Sequence, residues 1–105
     1  MIIYVDVDNT ICDTGSDCNY SISTPIKKNI NKINELHDRG HRIIYWTGRG
    51  SGTGLDWFQL TLNQLNEWGC KYNELRMGKP VYDIFIDDKN LNVKDFPIID
   101  DYIND

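Results

Sequence analysis

Apolar and polar positions along this chain switch between two periods, short β-type runs and helical stripes. Ile2 to Val7 is a short apolar, β-branched run that predicts a central strand buried on both faces. Residues 12–24 are polar and turn-rich and read as a loop or small flap. Thr24-Pro25 then predicts a helix start, with Thr as N-cap and Pro at the first helical position. Ile26, Ile30, Ile33 and Leu36 follow at helical spacing, and Gly40 closes the helix. His41 to Trp46 predicts a second strand that runs into a sharp turn at Thr47-Gly48-Arg49-Gly50. Thr53 to Asp56 has the form of a capping box for a second helix, in which Phe58, Leu62 and Leu65 share a face until Gly69. Tyr72 to Met77 is a weak third strand, and Val81 to Ile86 a fourth that ends on Asp87-Asp88. In the tail, Pro97-Ile98-Ile99 fits a short edge strand, and the last residues are expected to fray.

Strands that alternate with helices predict an α/β fold, here a three-layer Rossmann-like arrangement around a central, mostly parallel sheet. The 105 residues suit a single domain spanning 1–105 with a real core. A formal net charge of −5 disfavours a chain-wide basic footprint for nucleic acid or anionic membrane. It leaves room for a small phosphorylated substrate, because a bound cation inverts the local field. The odd set Cys12, Cys18 and Cys70 lacks metal-ligand spacing and reads as reduced thiols, with a Cys12–Cys18 disulfide loop disfavoured. The N-terminal apolar run is too short for a signal or membrane segment, so a cytoplasmic protein is expected.

Chemistry enters through where the polar residues fall. Asp6 and Asp8 close the first strand, Thr47 follows the second, Lys79 follows the third, and Asp87 and Asp88 close the fourth. Ligands of open parallel sheets bind outside the carboxyl ends of the strands, so four distant segments are expected to share one crevice. Asp6 and Asp8, two apart on a strand, point to the same side. Two carboxylates about 4 Å apart repel by roughly 4 kcal/mol at an effective dielectric near 20, and two further acids add to the cost. Such a cluster calls for a cation, and dense hard oxygen ligands suit Mg²⁺. Taken singly, each signal is weak: Asp-x-Asp is common, Asp-Asp is often a turn, Thr-Gly-Arg an ordinary loop and Gly-Lys-Pro a helix start. Their joint order carries the weight. Thr10 is expected to brace the loop. Arg49 either reaches the substrate or pairs with an acid. His37 and His41 read as surface residues remote from the crevice. Trp46 reads as core, and Trp57 as either core or substrate platform.

That ordered set resembles the haloacid dehalogenase-like superfamily. Asp6-Val7-Asp8-Asn9-Thr10 looks like its first signature, Thr47 after an apolar strand its second, Lys79 its third and Ile86-Asp87-Asp88 its fourth. Asn9 stands where many members carry Gly. The stretches 46–57, 64–69 and 74–88 also resemble short hydrolases encoded with capsule or surface-polysaccharide genes. The resemblance implies a Mg²⁺-dependent phosphatase that acts on a phosphomonoester, such as a sugar phosphate or related metabolite. In it Asp6 is the nucleophile that forms an aspartyl-phosphate and Asp8 the general acid and base. Thr47, Gly48, Arg49 and Lys79 contact the phosphoryl group or substrate, and Asp6, Asp8, Asp87 and Asp88 hold the metal. No cap domain fits in residues 11–24 or 71–79. The site is therefore expected to be open, covered by a large substrate or by a neighbour in a homo-oligomer. A nucleotide or polynucleotide-end phosphatase is the alternative, disfavoured by the acidic balance. A non-enzymatic phospho-acceptor domain is disfavoured by the order of its acids.

Overall fold

The computed structural model describes residues 1–15 and 19–104. Among them the order is β1 (Ile2–Val5), β2 (Cys12–Asp13), a 3-10 turn at Tyr20–Ile22, β3 (Thr24–Pro25), α1 (Lys27–Asp38), β4 (Arg42–Trp46), α2 (Phe58–Glu67), β5 (Glu74–Arg76) and a 3-10 segment at Val93–Tyr102. β1, β4 and β5 form a parallel sheet in the order β1-β4-β5. Its register runs from Ile2 opposite Arg42 to Val5 opposite Tyr45, and from Ile44 opposite Glu74 to Trp46 opposite Arg76. β2 and β3 make a separate antiparallel pair, Cys12 with Pro25 and Asp13 with Thr24. The protein is thus α/β with a parallel sheet, as the alternating pattern predicts.

The stripe Ile30, Ile33 and Leu36 buries α1 against the sheet, where Val5, Val7, Ile11, Ile43, Tyr45, Leu65 and Trp68 complete one core. β4 is the central strand, and Ile43, Ile44 and Tyr45 are almost wholly buried. Successive residues point to opposite faces, so burial of all three means that both faces of this strand are covered. The α2 stripe is rotated from the expected one. Thr61, Gln64 and Leu65 are buried while Phe58 is 41% exposed, so two polar residues face inward.

Several expectations are corrected. Residues 81–86 form no strand, and Val81, Ile84 and Ile86 are 74%, 78% and 93% exposed. Their β-branched and aromatic composition reports fitness for a pleated surface, but a strand exists only where a ladder partner is in reach. β1 consequently has a strand partner on one side alone, and Ile2 and Tyr4 are 66% and 49% exposed instead of buried on both faces. Thr24 and Pro25 pair with β2 and do not cap α1, which begins after Ile26 without a side-chain cap. Thr53 does not cap α2, whose N-cap is Trp57 without a side-chain cap; Asp56 accepts the Phe58 N–H at 3.0 Å in the turn that leads into the helix. The tail is a 3-10 segment, not an edge strand. Asp100 ties it to α1 through Lys32 at 2.9 Å and Arg39 at 3.3 Å. His41 is 4% exposed, with Nδ1 2.9 Å from the N-terminal amine, because the turn after α1 tucks it under the start of β1. Cys12 and Cys70 are free thiols, and burial pushes Cys70 up to about 11. Cys18, and with it the disfavoured disulfide loop, lies outside the described residues. No helix among the described residues is long and apolar enough to cross a membrane.

Tyr45 gives a direct test of the packing. Its ring is 0% exposed, and its hydroxyl has no hydrogen-bond partner at normal geometry, the Cys70 thiol being its weak polar neighbour. A buried hydroxyl without a full partner costs about 1–3 kcal/mol of desolvation. Tyr45→Phe is therefore expected to be neutral or to stabilise by up to about 1 kcal/mol in urea melts. A loss larger than that would mean the thiol contact carries real weight.

Candidate active site

The turn that follows β1 sets the first part of the site. Thr10 N–H and Ile11 N–H both donate to the Val7 carbonyl, at 3.2 and 3.0 Å, and Asn9 N–H donates to Cys12 O at 2.7 Å. This tight return puts Asn9 at φ 59, in the left-handed region. Asparagine tolerates that region better than most side chains, which accounts for Asn where glycine would also serve. Asn29 on α1 braces the turn by donating to Thr10 O at 2.8 Å.

The turn presents Asp6 and Asp8 in different surroundings. The Asp6 side chain is 38% exposed, with Lys79 Nζ 3.5 Å from Oδ1 and Thr10 Oγ1 3.4 Å from Oδ2. Burial raises the Asp6 carboxyl above its ordinary range; Lys79 and the Val7 N–H oppose this, and Asp8 adds to it. The Asp8 carboxylate is engaged on both oxygens. Arg49 Nε donates to Oδ2 at 3.0 Å and Nη2 to Oδ1 at 2.8 Å, while Thr14 Oγ1 and Cys12 Sγ also reach Oδ1. Such forked guanidinium–carboxylate bonds fix geometry as well as charge. Of the two roles left open for Arg49, pairing with an acid is the one adopted. Its side chain is 0% exposed, so it does not line the surface.

The second and third segments meet at the carboxyl ends of β4 and β5. Thr47 N–H donates to Arg76 O and Thr47 O accepts from Lys79 N–H, both at 3.0 Å, which prolongs the ladder by one step. Thr47 is 1% exposed, and its Oγ1 accepts the Arg49 N–H at 3.1 Å. Gly48 lets the chain pass close to Lys79: a Cβ there would lie 3.1 Å from Lys79 O, a tight contact that the Lys79 backbone would have to relieve by a few tenths of an ångström. The Lys79 side chain is 15% exposed, and Nζ sits over the Trp46 and Tyr82 rings at 5.9 and 5.5 Å, which steer it toward Asp6. Trp46 is therefore half-buried beside the lysine, not core.

Gly50 is a strict requirement. Its φ is +83, and a Cβ would stand 2.1 Å from Leu55 O. Gly50→Ala is expected to destabilise by more than the roughly 1–2 kcal/mol of a left-handed residue alone. Gly54→Ala, at φ +74 with open space around it, should cost only that conformational part. Thermal melts of the two variants side by side check the difference.

Asp87 and Asp88 do not join the group. Both are exposed; Asp87 accepts the Lys89 N–H at 3.1 Å and is held below the ordinary carboxylate range by a hydrogen bond with Asp88 and by that N–H. The reason is the missing fourth strand, which was to carry them to the sheet end. Among the described residues, no three His, Cys, Asp or Glu side chains gather where they could hold a metal ion. As placed, the four acids do not fit Mg²⁺. Sequence reasoning also missed Thr14, Thr61 and Gln64, which surround the Asp8–Arg49 pair. The available signal was Thr61 and Gln64 on the same helical face as Leu65 and Trp68. A cleft of about 180 Å³ lies beside Arg49, between Ser51, Asp56, Trp57 and Gly78. A separate hollow of about 490 Å³ is lined by Lys28, Asn29, Lys32, Lys94 and Phe96, away from the carboxylates of this group.

No family model matches the sequence, and no curated protein matches it. Among solved structures, a structural-genomics target from Vibrio cholerae is similar, with a TM-score of 0.81 and 22% identity, over 92% of this chain and 87% of that one. A chain of a Pnkp1/Rnl/Hen1 complex is similar with a TM-score of 0.60 and 16% identity, over 97% of this chain and 34% of that one. At these identities the likeness is one of fold.

Proposed function

We propose that the protein is a phosphomonoesterase in which Asp6 is the nucleophile, acting on a sugar phosphate or a related small metabolite. The observation that carries this reading is the Asp6–Lys79 pair. A partly exposed carboxylate at the carboxyl end of a parallel strand has an ammonium 3.5 Å away, able to steady a phosphoryl group as charge moves. The ordered signatures Asp6-x-Asp8-x-Thr10, Thr47 and Lys79 support it, as does the fit of the turn at Asn9, while Asp87-Asp88 matches in sequence order alone. The three-layer, Rossmann-like, capless form of the α/β fold belongs to the same proposal.

The steps balance on the chain's own groups. An Asp6 oxygen attacks phosphorus, the ester P–O bond breaks, and the leaving oxygen takes a proton from Asp8. Water then attacks the aspartyl-phosphate, giving its proton to Asp8 and releasing phosphate and free Asp6. Mg²⁺ enters as the cofactor the resemblance implies. Because the four acids are not gathered as placed, no step is written through it.

The test is release of phosphate from para-nitrophenyl phosphate, then from a panel of sugar phosphates, nucleotides and phosphorylated nucleic-acid ends, with Mg²⁺ and with chelator. Turnover that disappears in Asp6→Asn is the expected result. No turnover on the whole panel with the metal present would sink the proposal.

A further inference from the structure

The Arg49 guanidinium is completely buried, and its partners lie on three separate parts of the chain. Besides the two Asp8 oxygens, Nη1 donates to Thr61 Oγ1 at 3.1 Å and to Gln64 Oε1 at 2.6 Å, both on α2. The Tyr20 ring lies 4.7 Å from its central carbon. Gln64, 7% exposed, uses its other end as well: Nε2 donates to the Tyr20 carbonyl at 2.6 Å. The amide orientation is fixed by these neighbours, because the reverse would set its NH₂ against a guanidinium that can only donate. A second route runs on the other side. Ser23 Oγ is 3.0 Å from Thr14 Oγ1, and Thr14 Oγ1 donates to Asp8 Oδ1. Tyr20 and Ser23 belong to the arm formed by residues 19–25, which also packs Tyr20 edge-on against Trp57 at 5.1 Å.

We infer that Gln64 is a positioning residue that couples the 19–25 arm to the Asp8 carboxylate through Arg49. In the described arrangement Asp8 carries four donors on its two oxygens. The fork from Arg49 fixes the plane of the Asp8 carboxylate, so the position of Asp8 follows that of the guanidinium. Arg49 is held in place by Gln64 and Tyr20, so displacement of the arm loosens Arg49 and frees Asp8. The coupling runs in both directions: weakening the Asp8 fork loosens Arg49, and with it the contacts Arg49 and Gln64 make to the arm. The consequence for turnover rests on the proposed phosphatase reading; the coupling itself does not.

The experiment measures amide hydrogen exchange at Ile22 and Ser23, whose N–H groups bond to the Asn19 and Tyr20 carbonyls at 3.2 Å. The full chain is used as wild type, Asp8→Asn, Gln64→Leu, Gln64→Glu and the remote surface variant Lys71→Ala. Gln64→Glu keeps the acceptor for Arg49 but sets a carboxylate against the Tyr20 carbonyl, so it breaks the arm contact without unseating the guanidinium. Exchange at both amides should quicken by about tenfold in Asp8→Asn and in both Gln64 variants, while the amides of β4 keep the wild-type rate. Lys71→Ala should leave it unchanged. If Asp8→Asn leaves the arm amides at the wild-type rate, the coupling is wrong whatever the activity. In the phosphate-release assay, Gln64→Glu should lower kcat about tenfold with KM for para-nitrophenyl phosphate within about twofold, the mark of misplacement away from the reacting atoms. Quickened exchange with an inert wild type would overturn the phosphatase reading and keep the coupling.

Discussion

Asp6→Asn is expected to abolish phosphate release, by at least about a thousandfold, while raising thermal stability at neutral pH. The loss of activity follows from removing the attacking oxygen, since the amide is a poor nucleophile. The gain in stability follows from the surroundings. Burial raises the Asp6 carboxyl above its ordinary value near 3.8, and Lys79 only partly offsets this. A group whose folded value is raised favours folding most when protonated. Its contribution is complete below the unfolded carboxylate range and is lost as pH rises through the raised folded value. Wild type and Asp6→Asn should therefore melt together at the acid end, and the variant should pull ahead toward pH 7. The Lys79 ammonium, left without its partner in the variant, is equally without it when Asp6 is protonated, so the comparison already includes that cost. Melts across pH 4 to 8 check this. A variant less stable than wild type at pH 7 would show that the Asp6–Lys79 attraction outweighs desolvation.

Arg49→Met is expected to be the most damaging substitution for stability. It removes a fully buried cation and leaves the Asp8 carboxylate, whose side chain is only 21% exposed, without its forked partner. Gln64 Oε1 loses its donor as well. Breaking a buried pair on one side costs about 3–5 kcal/mol, and the partial exposure of Asp8 favours about 3. For a domain of this size that lowers Tm by roughly 15 °C. Arg49→Lys should fall between, because an ammonium cannot serve Asp8 with a fork and still reach α2. The double variant Arg49→Met with Asp8→Asn should recover part of the loss, which a double-mutant cycle reads as coupling. A cost below about 1 kcal/mol for Arg49→Met would mean that water replaces the guanidinium freely.

The Asp8–Arg49 pair also changes how the two aspartates compare. Asp6 faces an ammonium at the rim, while Asp8 is gripped from within. Two acids two positions apart in sequence thus differ in freedom before any ligand arrives. A turn at Asn9 and a helix that turns Thr61 and Gln64 inward make that difference.

Much of the scaffold was legible in the chain itself. The runs at 2–7 and 41–46 gave the positions of β1 and β4, and Ile30, Ile33 and Leu36 gave the buried side of α1, because side-chain periodicity is a local property of strand and helix. Glycines at 40 and 69 marked helix ends through their positive φ. Asp6, Thr47 and Lys79, which follow β1, β4 and β5, lie near one another because a parallel sheet aligns the ends of its strands. Arg49 was legible as a residue with two futures, and the inward acid at Asp8 decided between them.

The sequence alone determined which segments are helix- or strand-forming and which polar residues end the strands, for these depend on spacing along a few residues. Only the tertiary structure decided that residues 81–86 lie in solvent, that β1 pairs on one side, and that Asp87 and Asp88 stand apart from Asp6 and Asp8. It also decided that Gln64 and Tyr20 meet Arg49. Strand pairing and buried hydrogen bonds join residues far apart in the chain. Their free energy depends on which partner arrives, and no local pattern carries that information.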